Sequence, residues 1–327
     1  MNKASILWNP KLKLAISDVD ETIADAYTPA EPEMIAELSR LLAEGHKLFM
    51  VSGGWIKNMQ INIIDRIHPA LRKDILVAHC SGSEVWGFTE DGSLREKPFY
   101  SSYEELFTPT MKQTWRNAVD QLIAEFGFRT HATRPKQLFT ETVSTDPHDI
   151  MFEDRGSQIT LQLTNAIDLT HEQNEAIGQE VPITHGQRDL RIPVMARAQE
   201  LFDQAGLPIT PRLGGTSAID MAVRGVSKTT AIKTVLEAKG VLETIGLKPD
   251  DLANPAKSIE IWGDKFSAIR GGTDRHMSEA LPHSVRAINF RQENPAEFPK
   301  GYNIVVWDGQ QHLHHGLLEY LQLRSKK

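Results

Sequence analysis

Asp18-Val-Asp20-Glu21-Thr22 follows directly on the apolar run 12–17, LKLAIS. Two carboxylates at i and i+2 in a loop just past a strand can converge on one cation or one phosphate, whereas inside a strand both would be forced onto the same face of the sheet. The apolar strand before the pair and Thr22-Ile23 after it set this segment apart from an ordinary Asp-rich surface turn. Other chemistry-bearing groups carry less. Lys228-Thr229 has the look of a P-loop ending, but Ser227 stands where the glycine must be and no upstream glycine has the spacing, which speaks against a Walker-type kinase. His312, His314 and His315, in HLHH, are metal-ligand types; on a polar turn they are expected to be solvent-exposed. Cys80 closes an apolar run and is expected to be a small core residue. The glycine pairs at 53–54, 214–215 and 271–272 have turn composition, and Gly53-Gly54, following Ser52, is the pair expected beside a phosphate.

These groups need a scaffold, and the sequence patterning supplies one. The run 12–17 predicts a buried strand, and Pro32 opens a helix whose Met34, Ile35, Leu38, Leu41 and Leu42 keep helical spacing up to Gly45. LFMVSGG predicts a second buried strand ending at Ser52, residues 55–67 a helix, and ILVAHC a third strand, the alternation that a parallel sheet requires. From about Glu90 the rhythm changes to α+β: a helix over 109–126, strands in FTETVS and SQITLQL, and helices in HEQNEAIGQE and VMARAQELFDQAG. After Arg212 the α/β pattern resumes with AIDMAV, a helix in SKTTAIKTVLEAKG, and strands in SIEIWG and VRAINF. The expected fold is therefore α/β, a Rossmann-like parallel-sheet core of residues 1–89 and 213–327 interrupted by an inserted α+β domain at 90–212.

Composition bounds the rest. At 327 residues with 40% hydrophobic and 24% charged, the chain can bury a large core and has no low-complexity or repeat character. A net charge of -7 argues against a general nucleic-acid or membrane-surface binder, which would need a basic face. The single cysteine allows no intrachain disulfide and no Cys-based zinc site. The apolar runs near the N-terminus are broken by Lys11 and Lys13, too short for a signal sequence, so a cytoplasmic location is expected.

The strand followed by D-x-D-x-T resembles the first motif of the haloacid dehalogenase superfamily of phosphotransferases. Ser52, ending LFMVSGG, is similar to the second motif, a strand-terminal Ser or Thr that bonds the transferring phosphoryl group. Lys228 in RGVSKTTAIK looks like the third, where an ammonium and a helix N-terminus both favour phosphate. Asp264 in SIEIWGDK and Asp274 in GGTDRHM look like the fourth, the acidic loop that completes a magnesium site. The insertion lies where the type IIB members carry an α+β cap. The lengthened fourth motif, with G-D-K at its start and G-G-T-D at its end, is more like that of phosphomannomutases, Thr273 replacing the usual Asn. Glu153-Asp154-Arg155-Gly156-Ser157 is similar to a phosphomannomutase cap segment that carries a substrate-binding Arg. The alternative for Arg155 is an exposed strand-end side chain paired with Glu153 or Asp154. Arg129, Arg134, Arg188, Arg191 and Arg212 are further basic candidates in the insertion.

The resemblance implies an Mg2+-dependent phosphatase acting through an aspartyl-phosphate on a small phosphorylated metabolite, a sugar phosphate foremost. A phosphate monoester is a dianion that repels an anionic nucleophile, so an Asp nucleophile needs a divalent cation. On this reading Asp18 attacks phosphorus, Asp20 is the general acid-base, and Ser52, Gly53, Gly54, Lys228 and Arg155 hold phosphate or substrate. Asp18, Asp20 (through its carbonyl), Asp264 and Asp274 face the metal. A phosphosugar mutase is the alternative, weakened because LQLTNAIDLTHEQNE lacks the later cap arginines a second phosphate site would need. A non-catalytic binding protein is the third reading; the joint presence of Asp18, Asp20, Ser52, Lys228 and Asp264 speaks against it. A monomer or homodimer is expected, with neither nucleic acid nor membrane as partner.

Overall fold

The computed structural model describes residues 5–177, 180–184, 186–214, 217–269 and 271–326. Four short apolar segments in the first hundred residues become strands β1 (Leu14–Ser17), β2 (Lys47–Val51), β3 (Ile75–His79) and β4 (Glu84–Gly87), followed by the two-residue β5 (Tyr100–Ser101). Next come β6 (Arg129–His131), β7 (Asp149–Asp154), β8 (Gln158–Gln162), β9 (Ile183–Thr184), β10 (Gln187–Arg188), β11 (Ile209–Gly214) and β12 (Ala218–Val223). The chain closes with β13 (Ile259–Gly263), β14 (Arg286–Asn289) and β15 (Ile304–Val306). Two compact units result: one spans 1–100 and 226–327, the other 101–225.

The first unit is built on an eight-stranded sheet ordered β15-β14-β13-β1-β2-β3-β4-β5. Six consecutive strands, β15 to β3, pair in parallel, and β4 runs antiparallel to β3. Parallel strands bury both faces, so alternate side chains feed two apolar layers. Leu14, Ile16, Phe49 and Val51 face the layer that holds Ala231, Ile232 and Val235 of the helix Lys228–Glu237. Ala15, Leu48 and Met50 face the other, with Met34, Leu38 and Leu41 of the helix Pro32–Ala43. Full burial of such a Leu or Phe is worth about 1.5–3 kcal/mol, which is why these short strands hold without alternating polarity.

Strand order reverses at β1. From it the chain steps to β2 and β3 on one side, and after the insertion it returns on the other through β13, β14 and β15. The register sets Ser17 opposite both Met50 and Trp262, so the residues just beyond these strand ends, Asp18, Ser52 and Asp264, emerge at one level. A crevice outside the carboxyl ends of strands at such a switch point is where open α/β sheets bind ligands.

The second unit is a five-stranded sheet ordered β11-β12-β8-β7-β6, antiparallel except for the β6–β7 pair, with the helices Pro109–Glu125 and Arg191–Gln204. It departs from the sequence expectation in three places, the first being that it begins at 101, not at 90. AIDMAV is not the resumption of the core: as β12 it pairs with β11 and β8, and the observed division falls at 225/226, not at 212/213. Both neighbours of β12 in the sheet precede it in the chain, so the segment cannot leave before β12 is placed. FTETVS is not a strand: its first four residues lie in the helix Lys136–Thr142, and Val143 is the C-cap. Phe139 and Val143 are four apart, one helical turn, and the Thr140 and Thr142 hydroxyls donate back to the carbonyls of Lys136 and Leu138 at 3.2 and 2.6 Å.

At the end of β3, buried His79 is bracketed by Cys80 Sγ at 3.0 Å from Nδ1 and Glu84 Oε2 at 2.9 Å from Nε2. Burial opposes the imidazolium, but the thiol and the carboxylate outweigh it and raise the pKa from 6.5 to about 9. A folded-state pKa above the unfolded one gives stability that is complete below pH 6.5 and lost as pH rises through 9, up to about 3 kcal/mol. Thermal denaturation from pH 6 to 9.5 is expected to show this decline in the wild type and a flatter profile in His79→Gln. Parallel profiles would remove His79 as the source. Cys80 is buried as expected, in the turn after the strand, where it and Ser81 have φ of 50° and 59°.

Candidate active site

The buried side chains Asp18, Lys228, Asp264 and Asp274 meet beyond the ends of β1 and β13. Asp18 leaves β1 with its N–H donating to the Trp262 carbonyl at 2.9 Å, so the paired strand fixes where the carboxylate starts. Lys228 is the first residue of its helix, capped by Ser227 Oγ, which accepts from Thr230 N–H. Gly82 lets that helix end approach the turn after β3: its φ is +98°, and a Cβ there would lie 2.5 Å from the Ser227 carbonyl oxygen. Lys228 Nζ donates to Asp18 Oδ1 at 2.5 Å and to Asp274 Oδ1 at 2.8 Å.

Asp274 also organises the loop that bears Asp264. Its Oδ2 accepts the N–H groups of Asp264 and Lys265, at 2.8 and 2.9 Å. Gly263 makes room for this: a Cβ there would sit 2.7 Å from Asp274 Oδ2. Asp264 Oδ2 accepts two bonds from Arg291, from Nε at 2.9 Å and Nη2 at 2.6 Å. Glu293 Oε2 takes the N–H groups of Phe266 and Ser267 and the side-chain amide of Asn289, and Glu297 accepts the Ser267 hydroxyl.

Electrostatically the cluster is short of positive charge. Burial first, then Asp274, Asp264 and Asp20, push the Asp18 pKa well above the usual carboxylate range, against the pull of Lys228. Burial and Asp274 raise Asp264 to about 7 despite Arg291. Lys228 pays the cost of burial as well, but Asp18 and Asp274 more than offset it and hold the ammonium charged. One carboxylate oxygen from each of Asp18, Asp264 and Asp274 lies within 4.8 Å of the others. A buried all-oxygen set with excess negative charge fits a hard divalent cation such as Mg2+.

Beside this cluster Ser52 follows β2. Its hydroxyl donates to Asp20 Oδ2 at 3.3 Å and accepts the Gly54 N–H at 2.8 Å. A Cβ on Gly54 would stand 3.1 Å from Ser52 Oγ and 3.7 Å from Asp20 Oδ2, so glycine keeps this approach open. Asp20 sits in a tight loop in which the N–H of Glu21 donates to the Ala24 carbonyl and those of Thr22, Ile23 and Ala24 reach the Val19 carbonyl.

Of the residues singled out in the sequence, the structure thus gathers Asp18, Lys228, Asp264 and Asp274 into one bonded group and joins Asp20, Ser52 and Gly54 in another. Gly53 lies between Ser52 and Gly54, its Cβ position 3.6 Å from Ser81 Oγ. Arg155 belongs to the other unit. It is buried rather than exposed, and its Nε and Nη2 donate to Glu153 Oε2 at 2.9 and 2.6 Å. Asp154 bonds Arg116 instead, through both carboxylate oxygens. Of the other basic candidates, Arg191 is buried on Asp189, and Arg129 binds Asp146 and Asp149 at the surface. Of the glycine pair 214–215, Gly215 lies outside the described residues. HLHH opens a helix, Leu313–Gln322, with His312 at its N-cap position; His312 and His315 are exposed as expected, whereas His314 is buried. Arg291, Glu293 and Glu297 were not foreseen. The available signal was their position just past VRAINF, the same strand-end placement that marks Asp18 and Asp264.

No protein-family model matches the sequence, and no curated protein matches it. Solved structures do match in fold. The C-terminal domain of C. albicans trehalose-6-phosphate phosphatase aligns with a TM-score of 0.55 at 13% identity, over 97% of this chain and 93% of that one. A trehalose-6-phosphate phosphatase related protein aligns at 0.52 and 13%, over 96% and 97%. A haloacid dehalogenase-like hydrolase from Bacteroides thetaiotaomicron aligns at 0.51 and 13%, over 94% and 99%.

Proposed function

We propose that this chain, which has the haloacid-dehalogenase-type fold, is a divalent-metal-dependent phosphatase of a small phosphorylated metabolite, with sugar phosphates as the first substrate class to test. The observation that carries this is the joining of Asp18, Lys228, Asp274 and Asp264 at the switch point of the sheet, with Asp20 and Ser52 alongside. A bound Mg2+ would neutralise charge on phosphate and nucleophile, with Asp18, Asp264 and the Asp20 carbonyl as its protein oxygens.

Lys228 holds Asp18 Oδ1 and so orients the carboxylate for attack on phosphorus. The Asp18 oxygen forms the new P–O bond as the ester P–O bond breaks, and Asp20 gives its proton to the departing alkoxide. Asp20 then takes a proton from water as that water attacks the aspartyl-phosphate, releasing inorganic phosphate and restoring Asp18. Ser52 Oγ, the Gly54 backbone and the Lys228 ammonium supply donors for the equatorial phosphoryl oxygens. Asp274 spends its carboxylate on Lys228 and two backbone N–H groups, which makes it a positioning residue for both. The unit 101–225 is assigned the role of a substrate-selecting cap, with buried Arg155 as a recognition residue.

The test is an Mg2+-supplemented panel of phosphorylated metabolites that follows released phosphate and phosphate isomers together. It includes hexose 1-phosphates and, because two structural relatives carry the name, trehalose 6-phosphate. Free phosphate is the expected product; an isomerised ester would indicate a mutase, and no turnover across the panel would count for a binding protein. In Asp20→Asn, formation of the phosphoenzyme is expected to slow by roughly a hundredfold or more with an alkyl ester and far less with a nitrophenyl ester, whose leaving group needs no proton. Equal losses with both esters would remove Asp20 as the acid.

A further inference from the structure

We propose that Glu31, His314 and His315, with Asp25 beside His314, form a transition-metal site, distinct from the carboxylate cluster, that takes a divalent cation of the zinc class. The four residues come from two places in the first unit. Asp25 and Glu31 lie between the Asp20 loop and the helix Pro32–Ala43, and the two histidines open the helix Leu313–Gln322, which packs on it. One ligand atom from each of Glu31, His314 and His315 lies within 4.8 Å of the others. His315 Nε2 stands 3.0 Å from Glu31 Oε1, and the Glu31 side chain makes no capping bond to the helix that follows it.

The independent observation is His314. The residue is 8% exposed, its Nδ1 is buried without a hydrogen-bond partner, and that atom stands 3.4 Å from Asp25 Oδ1. A buried imidazole nitrogen with no partner is costly, and a cation between it and the carboxylate would remove the cost. The His314–Asp25 separation suits this: bonds of about 2.0–2.1 Å to N and O place tetrahedral ligand atoms roughly 3.3–3.4 Å apart. The donors also choose the metal. Two imidazoles with two carboxylates favour zinc and its neighbours, whereas the all-oxygen cluster around Asp18 favours Mg2+.

The experiment is Zn2+ titration of the metal-stripped full chain by calorimetry, in excess Mg2+ so that the carboxylate cluster is supplied, with Co2+ as a spectroscopic probe. A single zinc equivalent is expected, together with the visible bands of nitrogen-ligated, four-coordinate cobalt. Glu31→Gln and His315→Ala, at positions whose side chains are 44% and 47% exposed, should fold normally and lower zinc affinity by at least roughly tenfold. Phosphatase activity with Mg2+ should be unchanged in both, which keeps this test separate from that of the proposed reaction. Absence of zinc binding in excess Mg2+, or equal binding in the wild type and both variants, would overturn the proposal. So would zinc lost in Asp264→Asn but kept in His315→Ala.

Discussion

Asp18→Asn is expected to lower phosphate-ester turnover by at least about 10^4-fold while leaving the melting temperature equal to or above that of the wild type. The two halves of this result have one cause. Asp18 is buried among Asp274, Asp264 and Asp20, and its ionised form is disfavoured by burial and by each of them. A neutral amide of the same shape relieves that repulsion, and its oxygen still accepts from Lys228 Nζ. What is lost is the nucleophile and one metal oxygen, which matter only to the reaction. Such a trade of stability for chemistry is common where like charges are held together. The measurements are steady-state kinetics with the best ester of the panel and thermal denaturation in the same buffer. Substantial turnover in the folded variant would end the covalent mechanism, and a large fall in melting temperature would show that Asp18 stabilises the core.

Asp274→Ala is expected to act in the opposite sense, reducing stability by about 3–5 kcal/mol together with activity. Removing this carboxylate strips one of the two partners from the buried Lys228 ammonium and leaves the N–H groups of Asp264 and Lys265 without an acceptor. The loop carrying Asp264 would then be held from one side, by Glu293 and Glu297. Urea denaturation of Asp274→Ala and Asp274→Asn should separate two contributions. The amide oxygen of Asn can still accept a backbone N–H, so Asn should retain part of the stability while remaining deficient in turnover. A free energy of unfolding equal to wild type in Asp274→Ala would show that the loop does not depend on this carboxylate.

The site was readable in the sequence where chemistry coincides with a strand end. Asp18, Ser52 and Asp264 each follow an apolar run, and in a parallel sheet the ends of neighbouring strands share one level. Lys228 was marked by a capped helix start. Arg291 and Glu293 also stand just past a strand, but charged residues there are ordinary surface composition until a partner 27 residues earlier in the chain gives them a task. AIDMAV was read as the point where the α/β pattern resumes, but which sheet owns a strand depends on pairing with Ile209–Gly214 and Gln158–Gln162, which no local pattern encodes. FTETVS departs from expectation because its period-2 alternation suits a strand, while the one-turn spacing of Phe139 and Val143 and the backbone bonds of the hydroxyls decided for helix. HLHH reads as a polar turn, and its one buried member, His314, faces Asp25, nearly three hundred residues earlier in the chain.

The pairing of β1 with β13 has a consequence for how the protein is made. During synthesis β1 to β4 leave the ribosome early, and residues 101–225 can form their own sheet as one uninterrupted stretch. The strand that flanks β1 on its other side emerges only after that unit is complete, so the central sheet must close a loop of more than two hundred residues. The entropy of that closure rises only slowly with length, but the edge of β1 stays unpaired throughout. Asp18 and Asp264 therefore enter the nascent protein far apart in time. Until β13 docks, the chain presents a folded insertion and an open apolar strand edge, a state in which chaperone capture or aggregation competes with completion.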